Sequence, residues 1–215
     1  MQEVTAIKST RRDPGRMMIL VEDEVVATLP IARITDMGIV VGTNWTPALA
    51  ANVDQAVSFD KAKRASLNRL NRRAMTCQQL KRKLRTLDHC DSVINEVIDH
   101  LKELGLLDDE SVGRAIVRSE LSRKPAGPMY LRAKLMQKGV EREVIDRIVS
   151  EATEEIDLLA GAKKLVASRL RSLMRVDEVT RKRRLWGMLA RRGFDSDTIR
   201  RALSELPVQE VDEYF

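Results

Sequence analysis

The pentapeptide LKRKL at residues 80–84 recurs as LRAKL at residues 131–135 and as LWGML at residues 185–189. Two leucines four residues apart lie on the same side of a helix, one above the other. The copies stand 51 and 54 residues apart, and a spacing of this order is typical of tandem structural repeats. The sequence therefore predicts a row of repeats and not one thick globular core.

Three further sets of positions come into register at these offsets without gaps. Set by set, the equivalent residues are Ile94, Ile145 and Ile199; Ile98, Val149 and Leu203; and Asp88, Gly139 and Gly193. In the second and third copies, the glycine of the last set is a helix-stop signal. Each unit should contain a long helix, a short basic helix and a third helix with an apolar face. Because such a unit cannot bury its faces alone, neighbouring units must stack.

We therefore predict a mainly α protein in which three tandem three-helix repeats form an elongated, curved array after a small N-terminal β segment. The predicted boundaries are residues 1–57 for the β segment, 58–107 for the first repeat, 108–153 for the second, and 154–215 for the third repeat with a C-terminal tail. The composition agrees, because 33% of the residues are charged and only 3% are aromatic, which suits amphipathic helices in small bundles.

The N-terminal segment has the pattern of a small antiparallel sheet. Apolar runs at residues 17–21 and 25–29 flank an acidic break at residues 22–24, and this arrangement predicts a hairpin. Residues 4–7 can add a third strand across a turn at residues 13–15, where Asp-Pro-Gly favours a change of direction.

Local signals place the first helices. A short helix between residues 30 and 37 should close at Gly38, and the 3.6-residue period begins at about Phe59. Thr76 with Gln79 three residues on predicts a capping box, in which each side chain binds the other residue's backbone N–H.

Apolar spacing also predicts the buried helix faces. Residues 93–101 indicate a helix that stops at Gly105, and another should begin at Pro128 and end at Gly139. The leucines expected on one buried face are Leu80, Leu84 and Leu87. The residues expected to continue the pattern before Pro128 are Val112, Ala115, Ile116 and Ser119.

The basic charge is concentrated in the middle of the chain. The net charge of +6 divides into −2 for residues 1–57, +8 for residues 58–139 and zero for residues 140–215. Such an excess favours polyanionic partners, either nucleic acid or an acidic protein face. The candidate partner-binding residues are Lys81, Arg82, Lys83, Arg85, Arg114, Arg118, Arg123, Lys124, Tyr130, Arg132, Lys134 and Lys138.

Two other interpretations of these residues stay open. They can be ordinary solvated helix faces, or they can make sequence-independent contacts to the phosphates of nucleic acid. Recognition of bases is not expected from this part of the chain, because single-strand binders usually stack bases on aromatic side chains and the middle third offers only Phe59 and Tyr130.

Trp186 departs from the repeat pattern. Its equivalents in the first two repeats are Lys81 and Arg132, both polar. A tryptophan here can cover a seam between repeats or contact a partner, since tryptophan is enriched at binding hot spots.

The sequence carries no signature of catalysis or metal binding. Cys77, His89, Cys90 and His100 fall in one repeat but lack the CxxC pair that usually begins a zinc site. A phosphate-binding loop, HExxH and GxSxG are all absent. We expect no metal, no cofactor and no enzymatic activity, with a small helical enzyme as the remote alternative. Without a signal peptide or a membrane-length apolar run, a cytoplasmic protein is expected.

Three motifs together resemble the RecX family, which regulates the bacterial RecA recombinase. They are LLDDE at residues 106–110, RKPAGP at 123–128 and LRAKLMQKGV at 131–140. The family is marked by LDD, by GP before a middle helix and by a closing L-x-x-K-G-hydrophobic pattern. The resemblance covers residues 58–206, and the N-terminal hairpin looks like an extra segment of some members. Asp88 departs from the expected glycine, and the third repeat matches only in its hydrophobic register.

The resemblance implies a function that composition does not give. Family members bind RecA, both free and as its filament on single-stranded DNA, and lie in the filament groove. They mostly inhibit its ATPase, strand-exchange and coprotease activities, within homologous recombination, DNA repair and the SOS response. A monomeric regulatory protein with RecA as its partner is therefore expected, with weak direct DNA binding as a further possibility.

Overall fold

The computed structural model describes residues 2–204, so the tail predicted after the third repeat, residues 205–215, lies outside the described residues. The strands are β1 (Val4–Ser9), β2 (Arg16–Val21) and β3 (Glu24–Pro30). The helices are α1 (Ile31–Asp36), α2 (Pro47–Leu70), α3 (Cys77–Arg85), α4 (Asp91–Glu103), α5 (Asp109–Arg123), α6 (Pro128–Lys138), α7 (Arg142–Glu154), α8 (Leu158–Leu170), α9 (Glu178–Arg191) and α10 (Ser196–Ser204), with a short 3-10 helix at Arg171–Leu173. Among these, no helix combines the length and apolar character needed to cross a membrane.

The fold class is confirmed: a small antiparallel sheet and the short helix α1 precede three successive groups of three helices, α2–α4, α5–α7 and α8–α10. The chain divides into two compact units. Among the described residues, the N-terminal unit comprises 2–75 together with 80–107, and the C-terminal unit comprises 76–79 together with 108–204.

The predicted hairpin and its third strand are also confirmed. The strands pair in the order β1-β2-β3, and both pairings are antiparallel. Glu22 and Asp23 form the turn between β2 and β3, with φ angles of 50° and 65°. A two-residue turn with both central φ angles positive matches the right-handed twist of the strands it joins, and therefore allows a tight hairpin.

Helix α2 begins earlier than the sequence pattern predicts. The helix begins at Pro47, well before the change of period expected at Phe59. Thr46 caps it, because the Thr46 hydroxyl oxygen accepts the backbone N–H of Leu49 at 3.2 Å. The buried face of α2 is made mostly of small residues, including Ala56 and Ala62, and these give too weak an apolar signal for a period to be recognised.

The repeat register is confirmed by burial. The first leucine of each pentapeptide (Leu80, Leu131 and Leu185) has no exposed surface, and neither has the second (Leu84, Leu135 and Leu189). The equivalent isoleucines Ile94, Ile145 and Ile199 are at most 2% exposed. Six positions chosen from sequence spacing alone are therefore the innermost side chains of the three middle helices.

The turn after each middle helix is the same as well. Gly139 and Gly193 have φ angles of 81° and 79°, and Asp88 has a φ angle of 60°. All three lie in the left-handed region, which ends a helix by satisfying its last carbonyl groups. Aspartate enters this region more readily than most other residues with a Cβ atom, so Asp88 can take the left-handed φ angle that the two glycines have.

Two predicted faces are wrong in detail. Helix α3 ends at Arg85, and Leu87 lies in the turn with 44% of its surface exposed. On α5 the buried residues are Gly113 and Val117, whereas Ala115 and Ser119 are exposed. A Cβ atom on Gly113 would come within 2.6 Å of the Ile148 side chain. The close approach of α7 to α5 therefore depends on Gly113, which has no side chain and does not contribute to an apolar sequence pattern.

The last helix is stabilised by a titratable cap. The Asp195 carboxylate accepts the backbone N–H and the hydroxyl of Thr198, each at 2.8 Å. The backbone N–H of Thr198 is the main cause, with its hydroxyl second, of a pKa for Asp195 below the usual value. Because this pKa is lower in the folded chain than in the unfolded chain, the stabilisation is present above about pH 4 and is lost as pH falls through the folded value.

Replacing Asp195 by alanine should therefore lower the free energy of unfolding by about 1 kcal/mol at neutral pH, since one helix cap is lost. The difference from the parent should shrink once the pH is below the folded-state pKa of Asp195. Urea unfolding at neutral and at strongly acidic pH measures both values. The control is Asp195→Asn, which keeps an acceptor that does not titrate, so it should lose less stability than Asp195→Ala at neutral pH, while its difference from the parent should change with pH in the same direction. An equal loss for Asp195→Ala at both pH values would contradict the prediction.

Candidate partner-binding surfaces

The predicted basic residues on α3 differ in how far they are engaged within the protein. Lys81 donates to Asn95 at 2.8 Å, and Arg85 forms an ion pair with Asp91 at 2.7 Å. Arg82 and Lys83 are exposed and have no ion pair or side-chain hydrogen bond to any other described residue. These two side chains are therefore the freest of the α3 group to meet an acidic partner.

On α5 the predicted residues also divide. Arg114 pairs with Glu110 and with Glu151, each at 2.8 Å, and so helps to hold α5 against α7. Arg118 and Arg123 are exposed and have no ion pair within the described part of the chain. Lys124, which follows α5, is also exposed, and its backbone carbonyl oxygen accepts a hydrogen bond from Arg192 at 2.8 Å.

The Tyr130 ring contacts two cations within the protein. The Arg192 guanidinium lies 4.4 Å from the ring centroid, and the Lys134 ammonium lies 5.5 Å from it. The hydroxyl donates to Glu120 at 3.0 Å. Such cation–π contacts stabilise the packing, so Tyr130 contributes to the second repeat's structure.

Arg132 reveals a polar pair that the first two repeats share. Arg132 contacts Asp146 at 3.0 Å, just as Lys81 contacts Asn95. The 51-residue offset relates the two donors and also the two acceptors. In the third repeat the donor position is Trp186 and the acceptor position is Arg200, so this pair cannot form there.

Two hydrogen bonds within the C-terminal unit join residues at equivalent positions of the repeat pattern, and each is called a joint below. At the first joint, the Thr76 hydroxyl donates to the carbonyl of Lys138 at 2.6 Å. At the second, the backbone N–H of Gly127 donates to the carbonyl of Arg192 at 2.8 Å. Both the donors and the acceptors are equivalent residues. Lys138, predicted as a binding residue, thus contributes its backbone to a joint.

The predicted capping box takes part in the first joint. The backbone N–H of Thr76 donates to Gln79 Oε1, and the backbone N–H of Gln79 donates to Thr76 Oγ1, each at 3.2 Å. The same threonine hydroxyl therefore begins α3 and binds the next repeat. One short motif has both a local and a tertiary role.

The cysteines and histidines of the first repeat have separate surroundings. Cys90 is exposed, and a hydrogen bond with Ser92 is the main cause of a lowered pKa for its thiol. His100 lies 2.8 Å from the Lys63 ammonium and packs edge-on against Phe59. Within residues 2–204 no group of three histidine, cysteine or acidic side chains is placed to hold a metal ion.

Sequence reasoning missed a group of arginines in the third repeat. Arg169 on α8 and Arg183, Arg184 and Arg191 on α9 line a single cleft. The signal was hidden because residues 140–215 carry equal numbers of acidic and basic residues. A net charge summed along the chain does not report how the charges are sorted between the faces of one helix.

Family models describe all three groups of helices. The first, second and third three-helix domains of RecX match residues 62–101, 108–147 and 155–203, respectively. These ranges fall within the three successive helix groups of the fold.

Named relatives and a solved structure agree with these matches. A Regulatory protein RecX from Pelodictyon phaeoclathratiforme is 34% identical over 148 residues, covering 69% of this chain and 90% of that protein. One from Clostridioides difficile is 25% identical over 211 residues, covering 98% of each. A crystal structure titled regulatory protein RecX shares the fold with a TM-score of 0.83 at 22% identity, covering 95% of this chain and all of that one. The chain thus belongs to the RecX family of regulatory proteins, which is not a known enzyme family.

Proposed function

We propose that the protein binds RecA, both free and as its filament on single-stranded DNA, and inhibits the filament's ATPase, strand-exchange and coprotease activities. The observation that carries this proposal is family membership. The described residues hold no recognised nucleotide-binding motif, so an effect on ATP hydrolysis would act through RecA's conformation or assembly.

The exposed basic residues of the first two repeats support a docking role. Arg82, Lys83, Arg118 and Arg123 project into solvent without an ion-pair partner among the described residues. Surface cations without an ion pair give up little interaction energy within their own protein when they bind an acidic partner. They also increase the rate at which the two proteins associate. We therefore assign the main electrostatic contribution to these four residues and a structural contribution to Arg114 and Tyr130.

The test is RecA's DNA-dependent ATP hydrolysis with the protein added below the RecA concentration. The parent should slow hydrolysis. Reversal of Arg82 and Lys83 to glutamate, or of Arg118 and Arg123, should raise the half-inhibitory concentration by about threefold to tenfold, because charge complementarity is lost. The matched control reverses Arg11 and Arg12, which are exposed in the connection between β1 and β2.

Circular dichroism and a pull-down with purified RecA complete the test. If all three variants are folded and inhibit like the parent, the basic faces of the first two repeats are only solvated surfaces. If the parent neither binds RecA nor changes its ATPase, the proposed partner is wrong. A loss equal to that of the Arg11 and Arg12 control would show that net charge matters and that position does not.

A further inference from the structure

The third repeat contains a cleft whose cationic residues are all arginines. Arg169 comes from α8, Arg183, Arg184 and Arg191 come from α9, and Leu173 and Met188 form part of the apolar lining. Gly187 also lines the cleft, and the lack of a side chain there leaves space beside the Arg191 guanidinium. Arginine presents a planar fork that binds phosphate oxygens in pairs and stacks on flat rings, which lysine does not do.

These arginines are not neutralised within the described chain. None of the four has an ion pair within 4.0 Å among the described residues, although each is exposed. The pKa of Asp177 is lowered chiefly by the backbone N–H of Thr180, and the positive charge of Arg183 makes the smallest contribution to this lowering. Four like charges gathered in one cleft repel one another, and a bound polyanion relieves that repulsion.

Trp186 lies beside the cleft on the same helix. It is 38% exposed and borders a second groove with Arg183, Arg200 and Leu203. Arg183 lines both the cleft and the groove, so the two adjoin at this residue within the third repeat. The residues that form this groove all belong to the third repeat. This favours a Trp186 that contacts a binding partner over one that covers a seam between two repeats.

The repeat alignment shows that this surface replaces a structural pair. In the first two repeats the Trp186 position donates a hydrogen bond to the Arg200 position, as Lys81 does to Asn95. In the third repeat an aromatic ring stands at the donor position and a cation, Arg200, at the acceptor position. Arg200 forms an ion pair with the exposed Asp197 at 3.2 Å. The position has thus lost its internal contact and gained a flat apolar face next to basic residues.

We propose that this surface, the arginine cleft together with Trp186, binds single-stranded nucleic acid directly. The arginines bind backbone phosphates, and the Trp186 ring stacks on a base. Stacking on an aromatic face beside a basic groove is how single strands are bound without recognition of sequence. In a duplex the faces of the bases are stacked on one another, and inorganic polyphosphate contains no bases. Both ligands should therefore bind to the arginines but not stack on Trp186. This binding does not depend on the proposed contact with RecA.

The experiment uses the fluorescence of Trp186 in the full chain. The variant W45F removes the only other tryptophan. A labelled oligothymidylate of about 15 nucleotides, within the range of single-strand site sizes, is titrated without RecA. The oligonucleotide should quench Trp186 to saturation at the concentration at which its anisotropy reports binding. Duplex DNA and inorganic polyphosphate should bind more weakly and should not quench.

Matched variants separate the two parts of the surface. Trp186→Ala should weaken oligothymidylate binding about tenfold, and Trp186→Phe should retain most of the affinity, because one stacked base is lost only in the first. Neutralising Arg184 and Arg191 to glutamine should reduce the slope of log affinity against log salt by about 1.4, since each phosphate contact contributes about 0.7. The control neutralises Arg171 and Arg175, exposed arginines of the same repeat that do not line the cleft, and should leave the slope unchanged.

Several outcomes would overturn the proposal. One is binding without any quenching of Trp186, and another is an affinity that polyphosphate or duplex DNA equals. A third is equal salt slopes for the cleft and control variants. If the cleft variants bind the oligonucleotide normally but lose RecA in the absence of DNA, the surface is a protein interface. Should the glutamine variants fail to fold, the Trp186→Ala and Trp186→Phe pair still decides, because an equal affinity for the two excludes stacking.

Discussion

Replacing Gly193 by alanine should lower the free energy of unfolding of the C-terminal unit by about 2–4 kcal/mol. Gly193 has a φ angle of 79°, and an alanine in that region costs about 1 kcal/mol. The added Cβ atom would also come within 2.1 Å of the Tyr130 backbone nitrogen, at the joint between the second and third repeats. Because a backbone atom cannot move aside as a side chain can, the joint must open, and overpacking of this kind costs about 1–3 kcal/mol.

Two other glycines separate these causes. Gly105 has a φ angle of 67° with no atom within 4 Å of an added Cβ, so Gly105→Ala should show the conformational cost alone. Gly187 lies inside α9, and its added Cβ would meet only the flexible end of Arg191 at 3.3 Å. Gly187→Ala should therefore stabilise the chain by up to about 1 kcal/mol.

Urea unfolding followed by Trp186 and Trp45 fluorescence measures the C-terminal and N-terminal units in turn. A Gly193→Ala variant no less stable than Gly105→Ala would show that the joint adapts to the extra atom. The tertiary contact would then contribute little to the stability of the C-terminal unit.

Truncating the second leucine of any pentapeptide should be as damaging. Leu84, Leu135 and Leu189 have no exposed surface, and replacing a fully buried leucine by alanine costs about 2–5 kcal/mol. The cost combines lost burial with the cavity that is left behind. The same urea experiment measures it, with Trp45 reporting Leu84→Ala and Trp186 reporting the other two.

Leu87→Ala provides a control only three residues from Leu84. Leu87 is 44% exposed, so its truncation should cost less than about 1 kcal/mol. If the three buried leucines differ widely in cost, the repeats are equivalent in register but not in packing. If Leu84→Ala and Leu87→Ala cost the same, the buried face of α3 is wrongly assigned.

The parts of the fold that followed from sequence are those with strong periodic signals. Large aliphatic residues at helical spacing gave the three middle helices and their register, because burial of such side chains drives helix packing. The parts that failed depend on small residues. Gly113 and Ala56 are buried where close helix contact requires little volume, and an apolar pattern does not register residues that contribute almost no apolar surface.

The candidate binding surface was harder to predict for a different reason. Spacing identified exposed basic residues correctly on α3 and α5, but it did not show which of them pair internally. Arg114 and Arg132 find carboxylates that are 37 and 14 residues away in sequence, and such partners are known only from the fold. The arginine cleft of the third repeat requires two helices to meet, so no single stretch of sequence contains it.

The equivalent positions of the two joints give the repeat a direction along the chain. One end offers a donor at the start of the middle helix, and the other end offers a carbonyl just before a left-handed residue, so the contact is heterologous and each added block recreates the surface for the next. Gene duplication can lengthen such a chain without designing a new interface. In the third repeat Arg181 takes the place of Thr76 and Gly127 and is 6% exposed. Its backbone N–H donates to the carbonyl of Asp177 at 2.8 Å, so the third repeat does not present the backbone donor that Gly127 offers in the second.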